Sequence, residues 1–353
     1  MTQIRFGHRR PAPRHLVALA LLALGLAPLG CQTAPPLAPA DAEVAESLGL
    51  DPDRIAELAD RPLYTFERRD VDAYLRYLHA TMPDLRDRVA HLARKNLGQP
   101  YEIYLLGEAP FELHDAQPIL SIDRSDCVVF AEHTYAMALS HDWTSFVTML
   151  QRIRYERGRI GLLTRNHYTE ADWNPHNAWL VEDLIDTLPD ELTASYPLKV
   201  DRAAFFKKRY GLDTGHLVET LEVGYVPADH AVEAAADLQN GDLINFVRGK
   251  ADPETGEVGR WVGHVGLIVR GDDGAVHVIH SAKPRVREEP LADIVADVIA
   301  SRDQRDAEGK SRTYGYKFLR LVDDPMANLV AIDGPLAPRV TLPISPPTAA
   351  ATR

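Results

Sequence analysis

Cysteine is scarce in this sequence, with two among 353 residues, Cys31 and Cys127. Neither an HExxH run nor a paired-cysteine spacing occurs, so the commonest zinc patterns are missing, although a Cys/His/His site stays chemically open. Excess positive charge is also missing. The 39 Lys and Arg are outnumbered by 51 Asp and Glu, for a net charge of −12. Such a surface repels polyanions and offers no general phosphate-binding stripe, which excludes nucleic acid as a partner. The apolar run at 16–30, LVALALLALGLAPLG, is too short to span a bilayer, which needs roughly 20 apolar residues as a helix. No internal repeat is found. What is present suits a folded domain: 45% of residues are hydrophobic, enough for a proper core. The length allows a domain of about 200–250 residues plus flanks.

The N-terminal flank has a pattern of its own. Arg5, Arg9, Arg10 and Arg14 precede the apolar run, which ends at Gly30-Cys31. A basic head, a short apolar core and small residues at its end read as a secretory signal. Glycine just before cysteine is the pattern of a bacterial lipoprotein signal, although Pro28 stands where Leu is usual. Cys31 is then the expected lipidation site and the mature N-terminus. The Pro/Ala-rich stretch that follows suits a spacer between membrane and domain. Losing the four Arg takes the basic count from 39 to 35 against 51 acidic residues, a net −16 for the mature chain. Gln32, which is not Asp, favours outer-membrane delivery. The expectation is an exported, lipid-anchored protein on the periplasmic face of the outer membrane.

Apolar residues return every three or four positions over 42–58 and 71–97, which predicts helices, with Pro62 and Pro83 as interruptions. Residues 101–124 read as loop and short strand. A mostly apolar helix follows Cys127, with Ser125 or Asp126 as its N-cap. Further helices are expected over 143–157, 199–210 and 290–302. Residues 240–249, the pair GHVGLIVRG and AVHVIHSA, and TYGYKFLRLV read as strands. Helices first and strands later predict an α+β fold with an antiparallel sheet packed against a helical layer. The tail from residue 323, rich in Pro, Ala and Thr, reads as poorly ordered.

If Cys31 is taken by the lipid or by cleavage, Cys127 stands alone in an oxidising compartment. It is then a candidate nucleophile, with a buried structural cysteine as the plain alternative. Its place in the first helical turn favours the nucleophile. Free N–H groups and the helix dipole there should lower the thiol pKa and can donate to an oxyanion. A base is available on the hairpin. If Arg270 pairs with Gly274 across a loop at 271–273, paired numbers sum to about 544, and directly opposed residues share a face. That register sets His264 against His280, and a one-residue slip would separate them. One imidazole can then move the thiol proton while the second orients it. His277 falls on the other face. The stretch RNHYTEADWNPHN reads either as an aromatic-packed loop or as a recognition wall, the latter making Asn166, His167, Tyr168 and Trp173 candidate substrate contacts.

LGQPY, DCVVF, NGDLINF, GHVGLIV and VIHSA, in that order, resemble the NlpC-type cysteine peptidase and amidase superfamily. The segment at 165–177 is similar to its N-acetylmuramoyl-L-alanine amidase-like branch. Val129 and the order Ser281-Ala282 depart from that branch's usual sequence. The resemblance, over roughly 91–321, implies a papain-like fold with Cys127 as nucleophile, His264 as base and His280 as third member. It implies hydrolysis of the amide between muramic acid and L-Ala, with peptidoglycan or a muropeptide as substrate and no metal or cofactor. The rivals are a γ-D-glutamyl–diamino-acid endopeptidase and a non-catalytic lipoprotein that binds wall peptides. The expected organisation is a signal at 1–30, a linker at 31–41, a helical segment at 42–90, a catalytic domain at 91–322 and a tail at 323–353.

Overall fold

The computed structural model describes residues 34–107 and 119–333. The signal, Cys31 and the tail beyond residue 333 lie outside the described residues. The chain divides at Thr33/Ala34, and all that follows belongs to the second unit.

Helices come first: α1 (Pro39–Ser47), α2 (Pro52–Asp60), α3 (Arg68–Thr81), α4 (Leu85–Lys95), α5 (Cys127–Ala138), α6 (Trp143–Arg154) and the short α7 (Asn174–His176). Then follow β1 (Val181–Asp183), β2 (Ala194–Val200), α8 (Arg202–Tyr210), β3 (Glu219–Pro227) and α9 (Ala231–Ala234). The described residues close with β4 (Leu243–Ala251), β5 (Val258–Arg270), β6 (Val276–Ala282), β7 (Arg285–Pro290), α10 (Leu291–Ala307), β8 (Arg312–Leu321) and α11 (Pro325–Asp333).

Three local readings need correction. The helix expected over 42–58 is two helices. Gly49, at φ 69°, turns the chain after α1, and Asp51 caps α2 by accepting from the Asp53 N–H at 3.1 Å. The tail read as poorly ordered begins with α11, whose Leu329 is fully buried in the core. The linker reading also ran too far, because α1 starts at Pro39, where proline suits a first helical turn.

The strands form one antiparallel sheet in the order β2-β3-β8-β4-β5-β6-β7, with β1 also paired to β8. The fold is thus mixed α and β, with an antiparallel sheet and helices. Alternation along the strands sorts side chains to two faces. Leu243, Val265, Leu267, Ile279 and Leu319 join α3–α6 in the main core. Ile244, Ile268, Val278, Tyr316 and Phe318 meet Leu291 and Val295 of α10 in a second core. The N-terminal helices share the main core, through Ala45, Leu58, Leu75 and Leu92. The boundary expected between residues 90 and 91 falls inside α4. Among the described residues, no helix is long and apolar enough to cross a membrane.

Asp242, in the NGDLINF run, ties these layers together. It is 0% exposed. It accepts from Arg86 at 3.0 Å, from the Leu321 N–H at 3.0 Å and from the Gln239 N–H at 2.9 Å, and it pairs with Arg320 at 3.0 Å. Removing it strips Arg320 of its carboxylate and leaves Arg86 only the exposed Asp323 at 3.6 Å, the costly way to break a buried pair. Asp242→Ala is expected to destabilise the protein by about 3–5 kcal/mol, measured by urea unfolding. A change below about 1 kcal/mol would remove Asp242 from this role.

Candidate active site

Asp126 opens α5, its carboxylate accepting from the Val129 N–H at 2.9 Å, and Cys127 is the first helical residue. From Val129 to Ala138 the helix is buried on all sides, so its N-terminus is held by the core rather than by a surface loop.

The approach to Cys127 is stitched to the strands. In LGQPY, the Gly98 N–H donates to the Val286 carbonyl at 3.0 Å, and the Val286 N–H returns a bond to Gln99 at 2.9 Å. The Ser125 N–H donates to the Pro100 carbonyl at 3.1 Å. Ser125 Oγ lies 2.6 Å from Gln99 Oε1, and Ser281 Oγ donates to the Ser125 carbonyl at 2.8 Å. Ser281 follows His280, so these bonds set the Cys127 loop against the histidine strand. The departure from the branch's Ala-Ser order puts the hydroxyl where it can make this contact.

The hairpin register differs from the expected one by two. The β5–β6 ladder runs from Leu267↔Ile279 to Arg270↔Val276, and the Gly271 N–H bonds to the Ala275 carbonyl at 2.9 Å. The loop is therefore 272–274 rather than 271–273. Its third residue needs a left-handed backbone, and Gly274 supplies it at φ 76°. Sliding the loop by one residue moves both strands, so parity survives. His264 and His280 are diagonal neighbours on one face rather than opposed, still within reach of each other. Gly266 takes the place facing His280. A Cβ there would lie 2.6 Å from Val278 Cγ1 and 3.2 Å from His280 Cβ. Gly263 is the unpaired residue of a bulge, since Phe246 pairs with His264 and Val247 with Val262. Of the two glycines in Gly-His-Val-Gly, Gly266 thus makes room beside His280, and Gly263 makes room for Arg248 and Trp261.

His264 Nε2 lies 2.7 Å from His280 Nδ1, and His280 Nε2 lies 2.6 Å from Glu289 Oε2. Glu289 is a residue that sequence reasoning missed. It sits in β7, paired with Val278, and also binds Arg287. Burial alone would raise the Glu289 carboxyl, but the bonds from His280 and Arg287 outweigh it and hold it low. An ionised Glu289 only accepts, so His280 carries its proton on Nε2. Neutral His280 then accepts at Nδ1 from His264 Nε2–H. His264 is left with a bare Nδ1, the form a general base needs.

Burial keeps the His264 pKa well below the ordinary imidazole value, and His280, Arg248 and Arg287 add to the effect. His280 is also lowered, chiefly by burial, although Glu289 pulls upward. The thiol departs from expectation. Cys127 is partly buried, and burial pushes its pKa up to about 12, with the Asp126 carboxylate adding. The backbone amides of Val265 and Val128 pull the other way without prevailing. The helix N-terminus is real, but desolvation of the thiolate outweighs it. The resting pair is thus a neutral thiol and a neutral imidazole.

Cys127, His264, His280 and Glu289 line one cavity of about 650 Å³, together with Tyr101, Tyr104 and Arg248. A second cavity of about 330 Å³ shares Tyr104, Asp126 and Val128 with it and includes Asn166 and His167. Asn166 is held by bonds to the Ile153 carbonyl at 2.9 Å and to His176 at 2.7 Å. His167 bonds the Leu162 carbonyl at 2.7 Å, and burial lowers its pKa to about 3. Tyr168 lines a third cavity with Asp172 and Arg202. Trp173 is a correction. It is 4% exposed, and its indole donates to the buried Glu132 at 3.1 Å, so it is a core residue rather than a substrate contact. Among the described residues, no three His, Cys, Asp or Glu side chains are grouped to hold a metal.

Residues 91–299 match the family model described as AmiA-like, N-acetylmuramoyl-L-alanine amidase-like. No curated protein matches the chain. Among solved structures, a Legionella pneumophila protein is similar at TM-score 0.61 and 17% identity, over 72% of this chain and 94% of that one. An N-acetylmuramoyl-L-alanine amidase from Bacteroides uniformis is similar at TM-score 0.50 and 20% identity, over 67% of this chain and 99% of that one. These two likenesses speak to the fold.

Proposed function

This chain belongs to the AmiA-like, N-acetylmuramoyl-L-alanine amidase-like family, and from that premise we propose that it hydrolyses the amide between muramic acid and L-Ala in peptidoglycan, with Cys127, His264 and His280 as a catalytic triad. The observation that carries the reading is the chain of bonds from His264 through His280 to Glu289 beside Cys127 in one cavity. Membership of the papain-like, NlpC-type superfamily is part of the proposal. It is supported by a cysteine opening a buried helix that packs on an antiparallel sheet bearing the base.

Substrate binding brings the amide carbonyl to Cys127 Sγ. The sulfur attacks the carbonyl carbon as its proton passes to His264 Nδ1. The Cys127 backbone N–H donates to the oxyanion. The C–N bond then breaks, and His264 returns the proton to the departing amine of L-Ala. A thioester joins the lactyl carbonyl of muramic acid to Cys127. Water, deprotonated by His264, releases the acid and the thiol. His280 holds His264 in place, and Glu289 fixes the tautomers of both. Export and lipidation at Cys31 would set the enzyme on a membrane facing its substrate.

Digestion of defined muropeptides, with products identified by mass, tests the reading. A free peptide beginning at L-Ala is expected. Cleavage between D-Glu and the diamino acid would transfer the site to the endopeptidase activity. Binding without cleavage would leave a wall-binding lipoprotein. The hairpin supplies a further test. Gly266→Ala drives a Cβ toward His280 and Val278, and a displacement of about 1 Å can cost on the order of 10²-fold in rate. A loss of about that size in kcat, with KM little changed, is expected. Unchanged kcat would show that the pair's spacing is not limiting.

A further inference from the structure

The catalytic cavity also holds cations that the triad does not use. Arg248, Lys283 and Arg287 all line it. Arg287 is engaged with Glu289. The Arg248 guanidinium and the Lys283 ammonium have no hydrogen-bond acceptor or carboxylate partner among the described residues. They stand out in a chain with net charge −12.

Arg248 is placed rather than free to wander. It lies in β4, paired with Trp261 and Thr313 of the neighbouring strands. Its stem crosses the bulge residue Gly263. A Cβ on Gly263 would lie 2.5 Å from Arg248 Cδ and 3.0 Å from Trp261 Nε1. The absent side chain at residue 263, next to His264, is what lets the stem lie there. An aliphatic stem laid along the surface leaves the charged head for the cavity. It shares the cavity with Cys127 and His264, and its charge contributes at both.

We propose that Arg248, assisted by Lys283, binds a carboxylate of the departing peptide and so selects substrates that carry a free carboxylate close to the scissile amide. This rests on the amidase reading, and it names the part of the substrate that the site reads. In a wall peptide the second residue, D-Glu, bears such a group: its α-carboxyl, which is either free or amidated. A guanidinium matches a carboxylate with two parallel bonds. The amidated form offers neither the charge nor the second acceptor. Asp126, Glu289 and Asp297 line the same cavity and would oppose an anion placed near them, so the substrate carboxylate is expected at Arg248 and Lys283.

The test uses the full chain and two muramyl dipeptides, MurNAc-L-Ala-D-Glu and MurNAc-L-Ala-D-isoglutamine, which differ only at that α-carboxyl. Wild type is expected to favour the acid by about 10–100-fold in kcat/KM. Arg248→Gln should lose that factor on the acid through KM, so that acid and amide are cleaved with similar kcat/KM, beyond any small change common to both from the altered charge beside His264. Arg248→Lys should recover part of it. Equal loss on both substrates, or no preference in wild type, would overturn the proposal while leaving the amidase reading intact. Calorimetric binding of both dipeptides to Cys127→Ala, with and without Arg248→Gln, separates the two ideas. An Arg248-dependent preference in binding without any cleavage by wild type would keep the carboxylate site and sink the amidase reading. Equal affinity for acid and amide would overturn the carboxylate site whatever the turnover.

Discussion

Cys127→Ala is expected to lower muropeptide cleavage by about 10⁴-fold or more while changing stability by about 1 kcal/mol or less. The sulfur is the only atom removed, and Cys127 is half-buried at the end of α5 rather than in its packed middle. What is lost is the covalent route, because no other described residue lining the cavity carries a thiol. Cys127→Ser should be nearly as inactive. Its hydroxyl ionises less readily than the thiol, and the thiol is already pushed up to about 12 by burial. The neutral resting state has a second consequence. Alkylation of Cys127 by iodoacetamide should keep accelerating from about pH 7 to pH 10, since thiolate is the reactive form. A rate already level at neutral pH would mean a thiolate–imidazolium pair instead. Activity retained in Cys127→Ala would refute the nucleophile.

His264→Ala is expected to cost about 10²–10⁴-fold in kcat, and its pH behaviour follows from the site. The base must be neutral to take the thiol proton. Burial, His280, Arg248 and Arg287 hold its pKa well below the ordinary value. Protonation, and with it loss of activity, should therefore begin only at pH below about 6.5. In wild type, kcat/KM should stay level as pH falls from neutral and decline on the acid side of that point. Glu289→Gln removes the carboxylate that fixes the tautomers and should cost about 10–100-fold, with KM little altered. An acid limb centred above about pH 7 would contradict a buried, depressed His264. Full activity in Glu289→Gln would detach Glu289 from the relay.

The hairpin shows how far sequence could carry this site. Parity alone placed His264 and His280 on one face, because side chains alternate with a period of two. The absolute register was off by two because it depended on which glycine takes the left-handed turn position, and Gly274 does so. The helix after Cys127 and its Asp126 cap were legible from the apolar run and the capping residue. Glu289 was not. Its strand reads RVREEP, an edge strand whose charged residues hide the β pattern and suit an unpaired edge. β2, at the other edge, carries Pro197 within its alternation, which argues against a strand unless it is an edge. Trp173 misled for a different reason. An aromatic beside polar residues fits a pocket wall as well as a core, and only its bond to Glu132 inside the fold decides between them. The thiol's direction was misjudged because helix position is readable in sequence whereas desolvation is not.

The most direct test is the intact mass of the protein quenched in acid during turnover of a defined muropeptide. The account predicts a species heavier by one muramoyl acyl group, mapped to Cys127 and missing from Cys127→Ala. An adduct that includes L-Ala and D-Glu, or undiminished cleavage by Cys127→Ala, would contradict it.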